Sequence, residues 1–114
     1  MKILHSDCSF FLADGTAFGK ADIGFERNEL PQIGEVLSIA EMTEGPMPPE
    51  VLNRLNENVK FVVEKNILHE LSPNSSEYYF GCYLKDVCVQ NRHTAEAIFR
   101  DLESIGFDCD VWDE

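Results

Sequence analysis

The sequence predicts one α+β domain spanning residues 1–114, with a curved, mainly antiparallel sheet of five or six strands and a C-terminal amphipathic helix packed on it. Three observations predict this class. They are a hairpin turn at Asp14-Gly15, a stretch of aromatic and β-branched residues at Tyr78–Val89, and a helical repeat of apolar residues in Thr94–Ile105. A chain of 114 residues has the usual size of a single domain and can bury a core without metals or disulfides.

The hairpin at the start of the chain is the clearest local prediction. Asp14-Gly15 suits a two-residue type I′ turn, because that turn needs positive φ at both central positions. The pairs expected on the core face are Leu4 with Phe25, Ser6 with Ile23, Cys8 with Ala21, Phe10 with Gly19 and Leu12 with Ala17. The opposite face carries polar side chains that should contact water, namely His5, Asp7, Ser9, Lys20 and Asp22.

The middle of the chain predicts shorter elements. Glu35–Ala40 predicts a short strand, and the prolines of Glu41–Pro49 argue against a regular element there. Pro49 can open a short helix, because its missing N–H would be unpaired at that position. The apolar face of this helix holds Val51, Leu52 and Leu55. Lys60–Leu71 predicts a strand whose apolar side holds Phe61, Val63, Ile67 and Leu71, with His69 half-buried in the same row.

The last third of the chain predicts a strand, a helix and a strand. Tyr78–Val89 indicates one strand, bent near Lys85-Asp86. Thr94 suits the N-cap of a helix that runs to Ile105, where Gly106 ends it. The final strand, Phe107–Trp112, alternates apolar side chains with the carboxylates Asp108 and Asp110.

The charge of the chain narrows the classes of partner. Lys and Arg total 9 against 21 for Asp and Glu, so the formal net charge is −12. A field of this sign repels nucleic acid and anionic membranes and attracts cationic surfaces. We therefore expect a basic protein partner, with no direct nucleic-acid or membrane binding. Whether the protein is a monomer or a dimer stays open at this level.

The four cysteines, residues 8, 82, 88 and 109, include no Cys-x-x-Cys pair. Each lies in an apolar or alternating stretch, so buried free thiols in a reducing compartment are expected. The first residues lack the apolar run of a signal peptide, and no stretch is apolar enough to span a membrane. Both observations favour a cytoplasmic protein.

Motifs that carry chemistry are missing from the sequence. It contains no phosphate-binding loop, dinucleotide fingerprint, zinc-protease motif or nucleophile elbow. His5, Asp7 and Cys8 resemble a metal-ligand group, but alternation along a strand sends Cys8 to the other face. We therefore expect a non-enzymatic protein with no catalytic residues, no cofactor and no metal.

The acidic C-terminal segment is the candidate binding site. The residues expected to bind a partner are Asp101, Glu103, Asp108, Asp110, Trp112, Asp113 and Glu114. Carboxylates steer a basic partner towards a surface, and an exposed aromatic such as Trp112 or Tyr83 can anchor it. The alternative interpretation is a solvated sheet edge, whose charges prevent aggregation.

Together with its size and charge, the acidic and aromatic end Asp108-Cys-Asp-Val-Trp-Asp-Glu114 resembles that of bacterial immunity proteins, which neutralise nuclease toxins. The chain also resembles phage-encoded inhibitors that mimic nucleic acid. The resemblance implies tight binding to a basic toxin or nucleic-acid-binding protein. One alternative is a structural or accessory subunit of a phage or secretion assembly. Another is a small ligand-binding module or enzyme with a pocket near His69 and Tyr79.

Overall fold

Alternating apolar and polar residues fold residues 2–27 into a long hairpin of two strands with 11 residues each. The computed structural model describes residues 2–43, 47–70 and 78–112. It shows an α+β domain, as predicted, with a curled sheet and a C-terminal helix packed on it. The strands are β1 (Lys2–Leu12), β2 (Ala17–Arg27), β3 (Val36–Leu37), β4 (Phe61–Glu70), β5 (Tyr78–Leu84), β6 (Val87–Val89) and β7 (Asp108–Val111). The helices are α1 (Ile39–Met42), α2 (Pro49–Asn58) and α3 (Arg92–Ser104).

The register of the β1–β2 hairpin is confirmed from Lys2 to Phe10, including Cys8 opposite Ala21. Its turn is not the predicted two-residue turn. The N–H of Gly15 donates to the carbonyl of Leu12 at 2.9 Å, and the N–H of Leu12 donates to the carbonyl of Thr16 at 2.8 Å. Gly15 has φ +91°, which is typical of a longer hairpin loop that ends in a left-handed glycine.

A bulge in β2 accounts for the other difference in the hairpin. Phe10 pairs with Gly19, but Phe11 pairs with Ala17, so Phe18 is an extra residue in β2. The predicted pair of Leu12 with Ala17 is therefore wrong. The extra residue breaks the alternation and turns the ring of Phe18 into the core, where its centroid lies 4.8 Å from that of Phe99.

β1 lies inside the sheet, whose strand order is β3-β4-β5-β1-β2-β7, with β6 also paired to β1. The pairs of β1 with β5 and with β6 are parallel, and the other pairs are antiparallel. The predicted strand Tyr78–Val89 is divided at Lys85-Asp86, where a bend was expected. This division raises the number of strands to seven.

A bulge in β4 reverses the predicted faces of that strand. The register shifts between Val63 and Lys65, so the residues after the bulge change sides. Val63 is fully buried, whereas Ile67 is 39% exposed on the other face. The prediction that these two side chains share a face is therefore wrong. Leu71, also assigned to that row, lies outside the described residues.

The first residues of α2 and α3 follow from a proline and from a capping side chain. α2 begins at Pro49, as predicted, and buries Leu55. α3 begins at Arg92 because its N-cap is Asn91, whose side-chain oxygen accepts the N–H of Thr94 at 2.8 Å. The prediction of Thr94 as N-cap is therefore wrong. α3 packs on the sheet through four buried side chains, Ala95, Ile98, Phe99 and Leu102.

The predicted strand Glu35–Ala40 is shorter in the structure. Only Val36 and Leu37 pair with β4. α1 then replaces the end of the predicted strand and the start of Glu41–Pro49, where the sequence predicts no regular element. Ile39 and Met42, three residues apart, are both buried, so a single helical turn places both side chains in the core.

Within the part of the chain that the structure describes, the helices are too short or too polar to span a membrane.

All four cysteines are free thiols. Cys8 and Cys82 are buried and Cys109 is half-buried, but Cys88 is exposed, so the expectation that every thiol is buried is wrong for Cys88. Cys88 is the middle residue of the short strand β6, whose neighbours Val87 and Val89 take the two core positions. Alternation then turns Cys88 to solvent.

Candidate functional site

The sheet has a face opposite to the one covered by α3, which we call the open face. Its side chains follow from the alternation of the paired strands. They are Lys65, Ile67 and His69 of β4, Tyr79 and Tyr83 of β5, Ile3, His5, Asp7 and Ser9 of β1, Lys20, Asp22 and Glu26 of β2, and Asp108 and Asp110 of β7. Gly81 and Gly24 occupy two further positions on this face.

Three carboxylates lie side by side on the open face, and we call them the acidic row: Asp7, Asp22 and Asp108. Asp7 pairs directly with Asp22, and Asp22 pairs directly with Asp108, in antiparallel ladders. Adjacent strands lie about 4.8 Å apart, so the row spans about 10 Å. Like charges directly opposite one another weaken a sheet.

Within the described ranges, basic side chains lie close to the middle carboxylate of the acidic row, Asp22. The Nζ atom of Lys20 lies 3.7 Å and the Nε2 atom of His5 lies 3.5 Å from a carboxylate oxygen of Asp22. Among the described residues, no cation lies within ion-pair distance of Asp7 or Asp108. The two ends of the row therefore present carboxylates that are available to a partner.

The thiol of Cys109 responds to the charge around this part of the sheet. Its pKa is raised to about 12, first by burial and then by the neighbouring carboxylates of Glu103, Asp22, Asp108 and Asp110. Each of these carboxylates disfavours a thiolate, because like charges repel. The Cys109 thiol is therefore held in its protonated form.

An aromatic cluster adjoins the acidic row and consists of His5, His69, Tyr79 and Tyr83. The ring of His69 stacks on that of Tyr79, with centroids 5.1 Å apart, and its Nε2 atom lies 3.2 Å from the hydroxyl oxygen of Tyr83. The ring of His5 meets Tyr79 edge-on at 6.4 Å. Tyr83 is the direct neighbour of Asp7 in the parallel β1–β5 pair, so the cluster and the row are continuous.

Because Gly81 has no side chain, the rings of His69 and Tyr83 can approach each other across it. A Cβ atom at residue 81 would lie 2.9 Å from the ring of Tyr83 and 3.0 Å from the ring of His69. The Nζ atom of Lys65 lies over the ring of Tyr83, 5.4 Å from its centroid. A larger side chain at residue 81 would therefore separate the two rings.

An open depression of about 310 Å³ lies beside the cluster, and we call it the Gly24 pocket. It is lined by Ile3, Leu4, His5, Gly24 and Tyr79. Gly24 contributes no side chain, so the wall between the two neighbouring open-face positions of β2, Asp22 and Glu26, is missing. The pocket thus has aromatic walls with a carboxylate on each side along β2.

The structure does not bring all the predicted binding residues together. Asp108 and Asp110 lie on the open face and are exposed, as their alternation predicts. Asp101 lies in the helical layer, where both of its oxygens accept hydrogen bonds from Arg54 at 3.0 and 2.9 Å. That ion pair joins α2 to α3. Glu103 is exposed on α3, in the helical layer rather than on a strand.

Trp112 follows β7 and is 36% exposed. Its backbone N–H donates to the carbonyl of Phe18 at 2.9 Å, which extends the pairing of β7 with β2 by one residue. Asp113 and Glu114 lie outside the described residues. Within residues 2–43, 47–70 and 78–112, the predicted binding residues that the strand register places on the open face are Asp108 and Asp110.

Sequence reasoning named several residues of the aromatic cluster but did not assemble them. The sequence predicts Tyr83 as an anchor and, for a ligand-binding module, a pocket near His69 and Tyr79. The bulge after Val63 places His69 beside Tyr79 and Tyr83, and no turn residue in the sequence marks that bulge. The regular spacing Tyr79-x-Gly81-x-Tyr83 is the signal that could have indicated two aromatic rings around a gap on one face.

Within the described residues, no three His, Cys, Asp or Glu side chains are grouped so that they could hold a metal ion. Comparison with protein-family models, with curated proteins and with solved structures finds no match for this chain.

Proposed function

We propose that this protein is a non-enzymatic acidic binding protein whose open face receives a basic protein partner. The partner class that fits best is a nuclease-type toxin or another nucleic-acid-binding protein, which the chain would neutralise as a bacterial immunity or inhibitor protein in the cytoplasm. The acidic row is the observation that carries this proposal.

The acidic row supports binding because it works against folding. Asp7 and Asp108 each face Asp22 directly across a strand pair, and uncharged polar residues at these two end positions would remove that repulsion. A surface that keeps such a cost is a candidate for function, because activity and stability commonly oppose each other. Cationic side chains of a partner would relieve the repulsion.

The linear arrangement of the acidic row also suits the substrate-binding surface of a nuclease. Three carboxylates over about 10 Å form a line of negative charge, as the phosphates of a nucleic-acid strand do. A nuclease binds its substrate through Lys and Arg side chains that contact phosphates. We propose that the acidic row occupies those cations and thereby excludes the substrate.

The aromatic cluster supplies the apolar part of such an interface. Tyrosines are enriched at the energetically important centres of protein interfaces, and a polar rim usually surrounds them. Ile3 is 50% exposed and Ile67 39% exposed beside the cluster, so apolar surface is available for burial. The charges would then steer association, and the cluster would slow dissociation.

Affinity capture with charge-matched variants tests this proposal. The wild-type protein and a triple variant, Asp7→Asn, Asp22→Asn and Asp108→Asn, are used as baits at low ionic strength. The control bait carries Glu50→Gln, Glu57→Gln and Glu96→Gln, three exposed positions on the helices, so both variants lose the same charge. We expect a basic protein that the wild type and the control retain and that the triple variant loses.

The captured protein is then purified, and its association rate is measured at increasing ionic strength. We expect the rate to fall steeply, because screening weakens charge steering between partners. If the partner is a nuclease, the wild-type protein should inhibit its activity and the triple variant should not. Equal capture by the triple variant and the control, or capture of a partner without basic character, would contradict the proposal.

The same experiment separates the two alternative functions. A partner that forms a stable high-order assembly, held equally by all three baits, would favour an accessory subunit. A small molecule that co-purifies with the wild type and perturbs the Gly24 pocket would favour a ligand-binding module.

A further inference from the structure

The Gly24 pocket has a composition that suits one particular side chain. Its walls include the rings of Tyr79 and His5, which meet edge-on with centroids 6.4 Å apart. The faces of aromatic rings attract cations, and a planar guanidinium can also stack on them. A volume of about 310 Å³ open to solvent can admit the end of a long side chain.

The charges around the pocket are arranged for a cation that enters it. Asp22 and Glu26 are the nearest open-face residues to Gly24 along β2, about 7 Å to each side. Asp22 is also held towards the pocket wall, because its carboxylate lies 3.5 Å from the Nε2 atom of His5. A cation beside Gly24 would therefore lie between two carboxylates.

The floor of the pocket is backbone. A Cβ atom at residue 24 would have the carbonyl oxygen of Leu4 at 3.8 Å and the Nδ1 atom of His5 at 3.9 Å as its nearest neighbours. Both distances are ordinary contacts, so the space above Gly24 is empty volume rather than a close approach of two strands. The missing side chain at this position makes the pocket.

We infer that the Gly24 pocket receives an arginine side chain of the basic partner, an inference that rests on the proposed function. The guanidinium stacks on Tyr79 and donates hydrogen bonds towards Asp22 and Glu26. Arginine fits better than lysine because its planar group can stack on a ring and donate to two carboxylates at once. The acidic row then contacts neighbouring cations of the partner.

A peptide titration tests the pocket without the partner. Three capped tripeptides, Gly-X-Gly with X as arginine, lysine or citrulline, are added at low ionic strength while backbone amide resonances are followed by NMR. We expect the arginine peptide to shift the Gly24 and His5 resonances in a saturable way. The lysine peptide should bind at least about threefold more weakly, and citrulline, which is isosteric but uncharged, should not bind.

Gly24→Val is the matched variant, because a β-branched side chain suits a strand and fills the pocket without changing its charge. Ser9→Val is the control, since it adds the same side chain to the open face outside the pocket. We expect Gly24→Val to abolish the peptide shifts and to speed dissociation of the captured partner about tenfold. Ser9→Val should leave the peptide shifts intact.

The outcomes separate this inference from the proposed function. Saturable arginine binding without any basic partner would keep the pocket and reject the function. A basic partner that binds the wild type and Gly24→Val equally, with no arginine shifts, would keep the function and reject the pocket. Equal binding of arginine and lysine, or shifts with citrulline, would overturn the assignment to arginine.

Discussion

Gly19 of β2 lies so close to Asp110 of β7 that a side chain at residue 19 would overlap the carbonyl oxygen of Asp110. The same Cβ atom would lie 3.0 Å from the ring of Phe99 on α3. Gly19 is therefore required by the close approach of two neighbours, and its φ is not in the left-handed region.

We expect Gly19→Ala to push β7 away from β2 and to lower the free energy of unfolding by about 2 kcal/mol, because overpacking of a filled site forces the backbone to move. Chemical denaturation measures this loss. Gly24→Ala is the control, since its new Cβ atom meets nothing closer than 3.8 Å. Equal stability of the two variants would contradict the close approach.

Substitutions at Gly15 test the cost of positive φ without a change in packing. Its φ is +91°, and no heavy atom lies within 4 Å of a Cβ atom added there. Gly15→Val should therefore cost about 1 kcal/mol or more through strain, because β-branched residues resist positive φ. Thermal unfolding of Gly15→Val and Gly15→Asn checks this, since asparagine tolerates the left-handed region and should recover most of the loss.

The thiols should differ sharply in reactivity. Burial raises the pKa of Cys8 and Cys109 to about 12 and that of Cys82 to about 11, and Cys88 is exposed. The thiolate is the nucleophile, so at pH 8 the three raised thiols are almost entirely protonated. We expect iodoacetamide to label Cys88 first in the native protein and all four residues in denaturant. Peptide mass spectrometry identifies the labelled sites, and rapid native labelling of Cys8 would contradict the fold.

Removing one charge from the acidic row should stabilise the free protein. Asp7→Asn keeps the size of the side chain and relieves the repulsion with Asp22, so we expect a gain of about 0.5 kcal/mol at neutral pH. The gain should shrink in high salt, since screening weakens the repulsion that the variant removes. Asp101→Asn is the contrasting variant and should lower stability, because Asp101 pairs with Arg54. Denaturant titrations at two salt concentrations measure both effects.

Trp112 reports on the end of β7. It is 36% exposed, so its fluorescence in the free protein should be red-shifted and accessible to acrylamide. A partner that extends from the acidic row over Trp112 would shift the emission to shorter wavelength. Unchanged emission in the complex would exclude Trp112 as an anchor.

Local chemistry made much of the fold predictable. Three local signals mark where elements begin or end: the turn at Asp14-Gly15, the helix start at Pro49 and the helix end at Gly106. The alternation of apolar and polar residues in the first 27 residues is enough to predict nine successive β1–β2 pairs, from Lys2 to Phe10. The division of the strand at Lys85-Asp86 was also visible as a change to two charged residues.

The two bulges explain most of what could not be predicted. One extra residue at Phe18 and one after Val63 each reverse the face of the residues beyond them. Gly19 adjoins the first bulge, but no glycine or proline lies beside the second. A bulge depends on packing across the sheet, as with Phe18 against Phe99. The acidic row likewise needs β7 beside β2, a pairing between segments distant in sequence.

The position of β1 in the sheet has a consequence for synthesis. Its parallel partners come late in the chain, since Leu4 pairs with Phe80 and Phe10 with Val87. The β1–β2 hairpin therefore leaves the ribosome well before one edge of β1 can be paired, and a bare strand edge promotes self-association. Pairings this distant also fold slowly, on the order of milliseconds to seconds. We expect the nascent chain to need protection from aggregation until Val89 has emerged.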